Sequence, residues 1–382
     1  MKKFYFFVLA FICYTVVVSQ VQYETIKSRH LKSERNLKIK LPDNYDSDSK
    51  VKHPVIVVFD GDYLFEPVVG QISLQTYFDE MPEAIVVGVV QAKDRNFDSY
   101  VDPVSGLPVE SGAKFYEFIT TELLPHIDGN YNTSSFRAVV GEDNMANFMN
   151  SYLFKDVPVF QAYVNISPEF EGEVSNYLSD RLSWVKNDVF YYMATCDRDK
   201  RSIKESIAET DKNIKSIENK NLSYYFDNFK EADRKVMVMS AITKAFDRMF
   251  EIYSPLNEKE IDEKLESYEG SISEFIKDRY QKIETLFGIE KPITEEDFKI
   301  VANVSIENED FESLKEIGEL AKKQDPNSVL GTYYIAISAE NLGKKKKAIK
   351  LYESALMLNE TELITKETIK SKLENLTVVS RE

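Results

Sequence analysis

Phe136-Arg137-Ala138-Val139-Val140-Gly141-Glu142-Asp143-Asn144-Met145-Ala146-Asn147 is the stretch on which the reading of this chain turns. A short apolar run meets a glycine and a polar triplet, and a helical pattern starts directly behind them. Such punctuation predicts a strand, a sharp turn and the first turn of a helix. Asp143 stands at the corner. Aspartate tolerates left-handed backbone and is among the best helix N-caps, so a purely structural role explains its presence.

On either side of this corner, short β-rich runs alternate with helical segments. Strands are expected near 36–42, 54–60, 84–90, 136–140, 159–166, 188–195 and 222–229. Several are continuously apolar, as strands buried on both faces should be. The alternation predicts an α/β fold, a mainly parallel sheet flanked by helices. Residues 91–112 carry Pro103, Gly106, Pro108 and Gly112 and read as a long loop before a helix at 113–127. Loops of that length are often functional.

After about residue 255 the character changes. Glycine and proline thin out and charged helical periodicity takes over. Residues 329–362 place Ile335, Ala336, Ala339, Gly343, Ala348, Tyr352 and Ala355 at the small and apolar positions of a tetratricopeptide repeat, with Glu360 where proline is usual. Stepping back one repeat length gives 295–328, with Ala302, Ser305, Leu314, Ala321 and Pro326. The period suits stacked helix pairs. The expected organisation is a signal peptide over 1–19, an α/β domain over 20–254 and an all-α, repeat-like domain over 255–382. One or two repeats cannot bury a core alone, so the repeats should pack on the α/β domain or on a partner.

The signal peptide is read from Met1-Lys2-Lys3, an apolar run from Phe4 to Val18 and small residues before Gln20. The run is shorter than the ~20 apolar residues that span a bilayer, and no other segment approaches that length. Export to the periplasm, the outer membrane or the cell surface is therefore expected, with no transmembrane segment in the mature chain. Cleavage would leave Cys196 as the sole cysteine, so no internal disulfide can form. The net charge is −16, and losing Lys2 and Lys3 would deepen it by two. An acidic chain without a basic stripe is a poor nucleic-acid binder. The lysines at 344–347 read as a solvated turn. No metal-ligand spacing and no phosphate-cradling glycine loop is found, so no cofactor is expected.

The corner at 141–145 resembles the G-x-S-x-G nucleophile elbow of α/β-hydrolases, with Asp143 in the place of the serine and Met145 in the place of the second glycine. The likeness extends along residues 36–254 to the bacterial putative esterase family, the group related to esterase D and to siderophore esterases. Asn36–Tyr45 is similar to its first strand and exit, and His53–Gly61 to its next strand. Phe118–Ile127 resembles its long helix, and Phe160–Pro168 its strand ending in Ser-Pro. The resemblance implies an α/β-hydrolase fold and, in the family, a serine, a histidine, an orienting acid and two N–H donors for the oxyanion.

Carried over residue by residue, these positions are changed. Asp143 holds the nucleophile position. Arg234 holds the histidine position, and a guanidinium cannot accept a proton. Asp197 or Asp199 holds the acid position. The remnant oxyanion donors would be the N–H groups of Asn144 and of Asp62 in Gly61-Asp62-Tyr63. The only histidines are His30, His53 and His126, all upstream of the corner. A salt bridge from Arg234 to Asp197, Asp199 or Asp143 is expected to replace the acid–histidine contact, and Met145 is expected to fill or displace the cleft. The sequence thus points to an exported, esterase-like pseudoenzyme that binds protein or serves as a scaffold subunit in a bacterial envelope complex. Two alternatives stand beside it. One is an active hydrolase, an esterase or one using Asp143 as nucleophile, since aspartate nucleophiles are known on this fold. The other is a non-catalytic small-ligand sensor.

Overall fold

The computed structural model describes residues 21–256, 258–265 and 268–378. The expected signal peptide lies outside the described residues. Eight strands form one sheet among them: β1 (Val21–Lys27), β2 (Glu34–Lys40), β3 (His53–Val58), β4 (Ile85–Val89), β5 (Thr133–Glu142), β6 (Ala162–Ile166), β7 (Val189–Cys196) and β8 (Leu222–Phe229). Their order is β1-β2-β4-β3-β5-β6-β7-β8. β2 is antiparallel to β1 and β4, and all other pairings are parallel. Every residue of β3, β4, β6 and β7 is buried, because helices cover both faces of a parallel sheet.

Seven of the strands sit where the β-rich runs place them. β1 was not expected. Its sequence, Val-Gln-Tyr-Glu-Thr-Ile-Lys, has no apolar run, and the strand forms as an edge that pairs with β2 alone. The loop at 91–112 is also more ordered than its composition suggests. It holds a short helix, α2 (Arg95–Asp98), and a bridge between Val101 and Pro108. The following helix, α3, starts at Glu110 rather than 113 and spans Glu110–Phe118. Gly112 makes this possible, since a Cβ there would lie 1.9 Å from the Tyr100 carbonyl oxygen.

Alternation along the strands splits the core in two. One side of the sheet, with Val55, Val57, Val139 and Tyr191, packs on α3, α4 (Leu124–Asn130), α5 (Asn144–Met149), α6 (Val174–Ser183) and α7 (Arg201–Lys215). The other side, with Ile56, Val58, Val140 and Tyr192, packs on α1 (Phe65–Tyr77) and α8 (Arg234–Met249). This second core continues without a break into the C-terminal helices α9 (Glu258–Leu265) and α10 (Ile272–Phe287). Phe287 carries the junction: its ring centroid lies 5.1 Å from Phe136 of β5 and 5.1 Å from Phe250 behind α8.

Beyond α10 follow α11 (Glu295–Glu307), α12 (Phe311–Gln324), α13 (Val329–Asn341), α14 (Lys345–Ala355) and α15 (Lys366–Val378). α13 begins 34 residues after α11, and α14 begins 34 residues after α12. Of the expected small positions, Ala302, Ser305, Ala321, Ala336, Ala339, Ala348 and Ala355 are buried, while Gly343 is exposed at the turn between α13 and α14. The closest crossing, α12 on α13, depends on glycine. A Cβ on Gly331 would lie 2.4 Å from the Lys322 backbone nitrogen, and one on Gly318 would lie 2.8 Å from the Gly331 oxygen. The helical region therefore rests on the sheet domain, one of the two arrangements open from the sequence.

Candidate functional site

The C-terminal ends of β3, β5, β7 and β8 bring the sequence-marked residues together. β5 ends at Glu142, and Asp143 takes φ 60°, ψ −124° before α5 begins. That backbone is strained for a residue with a side chain and costs about 1–3 kcal/mol where surrounding structure enforces it. The enforcement is visible. The Asp143 N–H donates to the Ile166 carbonyl at 3.0 Å, and its own carbonyl accepts from Asn147 and Glu169. Gly141 lets the helix fold back over the strand, because a Cβ there would lie 3.1 Å from the Ala146 nitrogen. Asp143 occupies the N-cap position but its side chain makes no capping hydrogen bond, so capping does not account for the residue. Met145 is fully buried in the core under α5, with its sulfur 3.6 Å from Gln91 Nε2.

Arg234, the first residue of α8, reaches into this corner. Its Nε donates to Glu142 Oε1 at 2.7 Å, while its Nη2 lies 3.6 Å from Asp143 Oδ2 and its Nη1 3.9 Å from Asp199 Oδ1. Only the first is a hydrogen bond; the other two act through space. Of the two acid candidates, Asp199 is the one that faces Arg234. Its Oδ2 accepts from Ser167 Oγ, Thr195 Oγ1 and the Cys196 N–H. Asp197 instead accepts from the Glu231 N–H at 3.1 Å and holds the loop after β8.

Glu142 was not singled out as the partner of Arg234, yet it makes the tightest contact. Its second oxygen accepts from the Tyr63 hydroxyl at 2.7 Å. Arg95 of α2 was also missed. It grips both oxygens of Asp60, at 2.7 and 3.1 Å, and the Glu142 carbonyl at 3.1 Å. The long loop carrying Arg95 was the available signal; its pairing was not, because Asp60 and Arg95 meet only when β3 and the loop after β4 are adjacent. Asp62 turns its carboxylate onto the Gln91 and Ala92 N–H groups. Its own N–H has no hydrogen-bond partner among the described residues. Asn144 opens α5, where a helix leaves its first N–H groups without intrahelical acceptors. One oxygen each of Asp143, Asn144 and Asp199 is buried without a hydrogen-bond partner.

Four carboxylates therefore crowd two guanidiniums. Burial pushes the Asp143 carboxyl above its usual range, with Arg234 and Arg95 opposing and Glu169 and Glu142 adding to the rise. Burial raises Asp60 likewise, against Arg95. Burial works against the charge on Arg234, but the Glu142 hydrogen bond and the charges of Glu142, Asp143 and Asp199 outweigh it and hold the guanidinium protonated more firmly than usual. Burial, Asp60 and Glu142 push the Tyr63 hydroxyl well up, so it stays a donor.

The three histidines lie elsewhere. His53 starts β3, at the opposite end of the sheet, with Nδ1 3.1 Å from the Glu83 carbonyl. His126 pairs with Glu24 at 2.7 Å, and His30 lies 3.0 Å from Thr121 Oγ1. The groups that face Asp143 are thus a permanent cation and further carboxylates, an arrangement that can hold charge in place but has no imidazole to pass a proton.

Residues 28–202 match the model of the family described as putative esterase. The fold is that of an esterase-like α/β-hydrolase with a helical C-terminal region. An uncharacterised protein from Capnocytophaga ochracea DSM 7271 has a solved structure that superposes with a TM-score of 0.85 at 28% identity, covering 94% of this chain and 100% of that one. An IroE-like serine hydrolase from Shewanella oneidensis gives a TM-score of 0.57 at 18% identity, over 79% of this chain and 99% of that one. The siderophore hydrolase EstB from Aspergillus nidulans gives 0.51 at 17% identity, over 61% and 95%. The latter two likenesses speak to the fold. No curated protein matches the chain.

Proposed function

We propose that this chain is an exported, esterase-like pseudoenzyme whose repeat-bearing C-terminal region makes it a protein-binding or scaffold subunit of a bacterial cell envelope. The observation that carries the reading is Arg234 within 3.6 Å of the Asp143 carboxylate, in the position that a proton acceptor would need. Hydrolysis through an aspartyl ester needs a carboxylate free to attack and a base to activate water. Here burial disfavours the Asp143 charge, and Arg234 cannot act as a base. The offset helix pairs resemble modules that bind peptides and proteins, and they support the second half of the proposal.

Two measurements test it. Purified protein should turn over no aryl ester above a heat-killed control. A mild-detergent pull-down of the tagged protein from its own envelope should retain a stoichiometric protein partner, and retention of none would defeat the scaffold role. The rival with a specific observation behind it is an active hydrolase using Asp143, because the strained elbow backbone is kept and the carboxylate is partly open. That reading expects ester or halide turnover that Asp143→Ala abolishes, and a covalent adduct on Asp143 detectable by mass spectrometry.

A further inference from the structure

The C-terminal helices do not cover the whole sheet face on which they rest. α8 and α10 leave open the first residues of β7 and β8, and a cavity of about 850 Å³ lies there. That volume is in the range of small-molecule sites. Its floor includes Phe190 and Tyr225, whose ring centroids are 5.4 Å apart. The Arg248 guanidinium lies 5.6 Å from the Tyr225 centroid, and Phe275 and Phe287 of α10 complete the apolar wall.

The rim is charged in the sense opposite to the rest of the chain. Six basic side chains line the cavity against three carboxylates, Asp188, Glu251 and Asp278, in a protein of net charge −16. Of the six, Lys186, Lys220 and Lys282 are exposed and make no ion pair or side-chain hydrogen bond among the described residues. Two of the carboxylates are engaged: Asp278 accepts from the Tyr268 hydroxyl at 2.5 Å and Glu251 lies 3.8 Å from Arg248. The three lysines sit on separate segments, before β7, before β8 and on α10, so only the tertiary fold brings them to one rim.

We propose that this cavity binds an anionic amphiphile: a small molecule with an apolar body that lies on Phe190 and Tyr225 and a carboxylate or sulfonate head that faces Lys186, Lys220 and Lys282. A neutral apolar ligand would leave the rim cations unused, and a bare inorganic anion would leave the aromatic floor wet. From Phe136 at the cavity to Asp143 at the elbow is seven residues along β5, about 23 Å of strand. The site is therefore separate from the corner described above, and it goes beyond the proposed function.

The test uses the full chain and 1-anilinonaphthalene-8-sulfonate as probe. Fluorescence and isothermal titration at pH 7.5 should give saturable binding at one site per chain. Added salt should weaken it, and decanoate should displace it while acetate and decanol do not. The triple variant Lys186→Glu, Lys220→Glu and Lys282→Glu should bind at least ten-fold more weakly with an unchanged urea midpoint, since all three residues are exposed. Equal binding by the triple variant, or non-saturating binding by the wild type, overturns the proposal. So does displacement by an acidic peptide but not by decanoate, which would assign the groove to a protein instead.

Discussion

Replacing Arg234 by alanine should lower stability by about 2 kcal/mol, and by more at high pH than at low. Glu142 keeps only 7% of its side-chain surface and Asp199 keeps none. Removing one partner of a buried pair costs about 3–5 kcal/mol, because the other charge is left unpaired. Arg234 is itself 37% exposed, so water already screens part of the interaction, and exposed pairs are worth about 0–1 kcal/mol. Glu142 also retains the Tyr63 hydroxyl. About 2 kcal/mol lies between these limits. The pH dependence follows from Asp143. Without Arg234, burial and the neighbouring carboxylates raise its folded-state value further above that of the unfolded chain. The folded variant then holds a proton that the unfolded chain has released. The extra loss is present above the raised value and shrinks as pH falls toward the ordinary carboxylate range near about 4. Urea denaturation at pH 8 and pH 5, with an uncharged denaturant so that screening is constant, measures both. A loss under about 0.5 kcal/mol, or one that is the same at both pH values, would refute the reasoning.

Asp143→Gly should stabilise the protein by about 1 kcal/mol: relief of backbone strain worth about 1–3 kcal/mol outweighs the entropy cost of glycine, about 0.5–1 kcal/mol. A lower urea midpoint would show that the Arg234 contact matters more than the strain. Gly331→Ala should cost about 1–3 kcal/mol, the usual penalty for overpacking, since its Cβ would meet backbone of α12; thermal unfolding reads it, and a neutral result would mean that the crossing can open. Burial pushes the Asp98 carboxyl up to about 7, with Arg35 opposing. The folded state therefore holds a proton that the unfolded chain loses above about pH 4, and this group makes stability fall from about pH 4 to 7 and level off above. Asp98→Asn should flatten that part of the stability–pH curve, and an unaltered slope would sink the assignment.

Much of this architecture was legible in the chain. β-rich runs marked seven strands, most plainly β3, β4, β6 and β7, because a strand buried on both faces can carry little but apolar residues, and the break at 141–143 marked the elbow because only a few residue types accept that backbone. The small residues at a fixed offset marked the helix pairs because closely crossing helices exclude side-chain volume. β1 left no such trace: an edge strand needs a partner, and its polar alternation is shared with loops. At the corner, Asp143, Arg234 and Asp199 were named from the sequence. Glu142, Tyr63, Arg95 and Asp60 were not paired, since each sits in an unremarkable polar context.

What the sequence determined by itself was the local grammar: where the backbone extends, turns and coils, and which residue types, Asp143 at the turn and Arg234 at the start of the last helix of the sheet domain, stand at the marked positions. Only the tertiary structure decided who faces whom. Arg234 meets Glu142 across 92 residues of chain, and α10 lies on β5. The physical reason is that side-chain periodicity records burial, a property each residue carries alone. Charge pairing depends on distance in space, which the register of parallel strands and the packing of helices on the sheet set together.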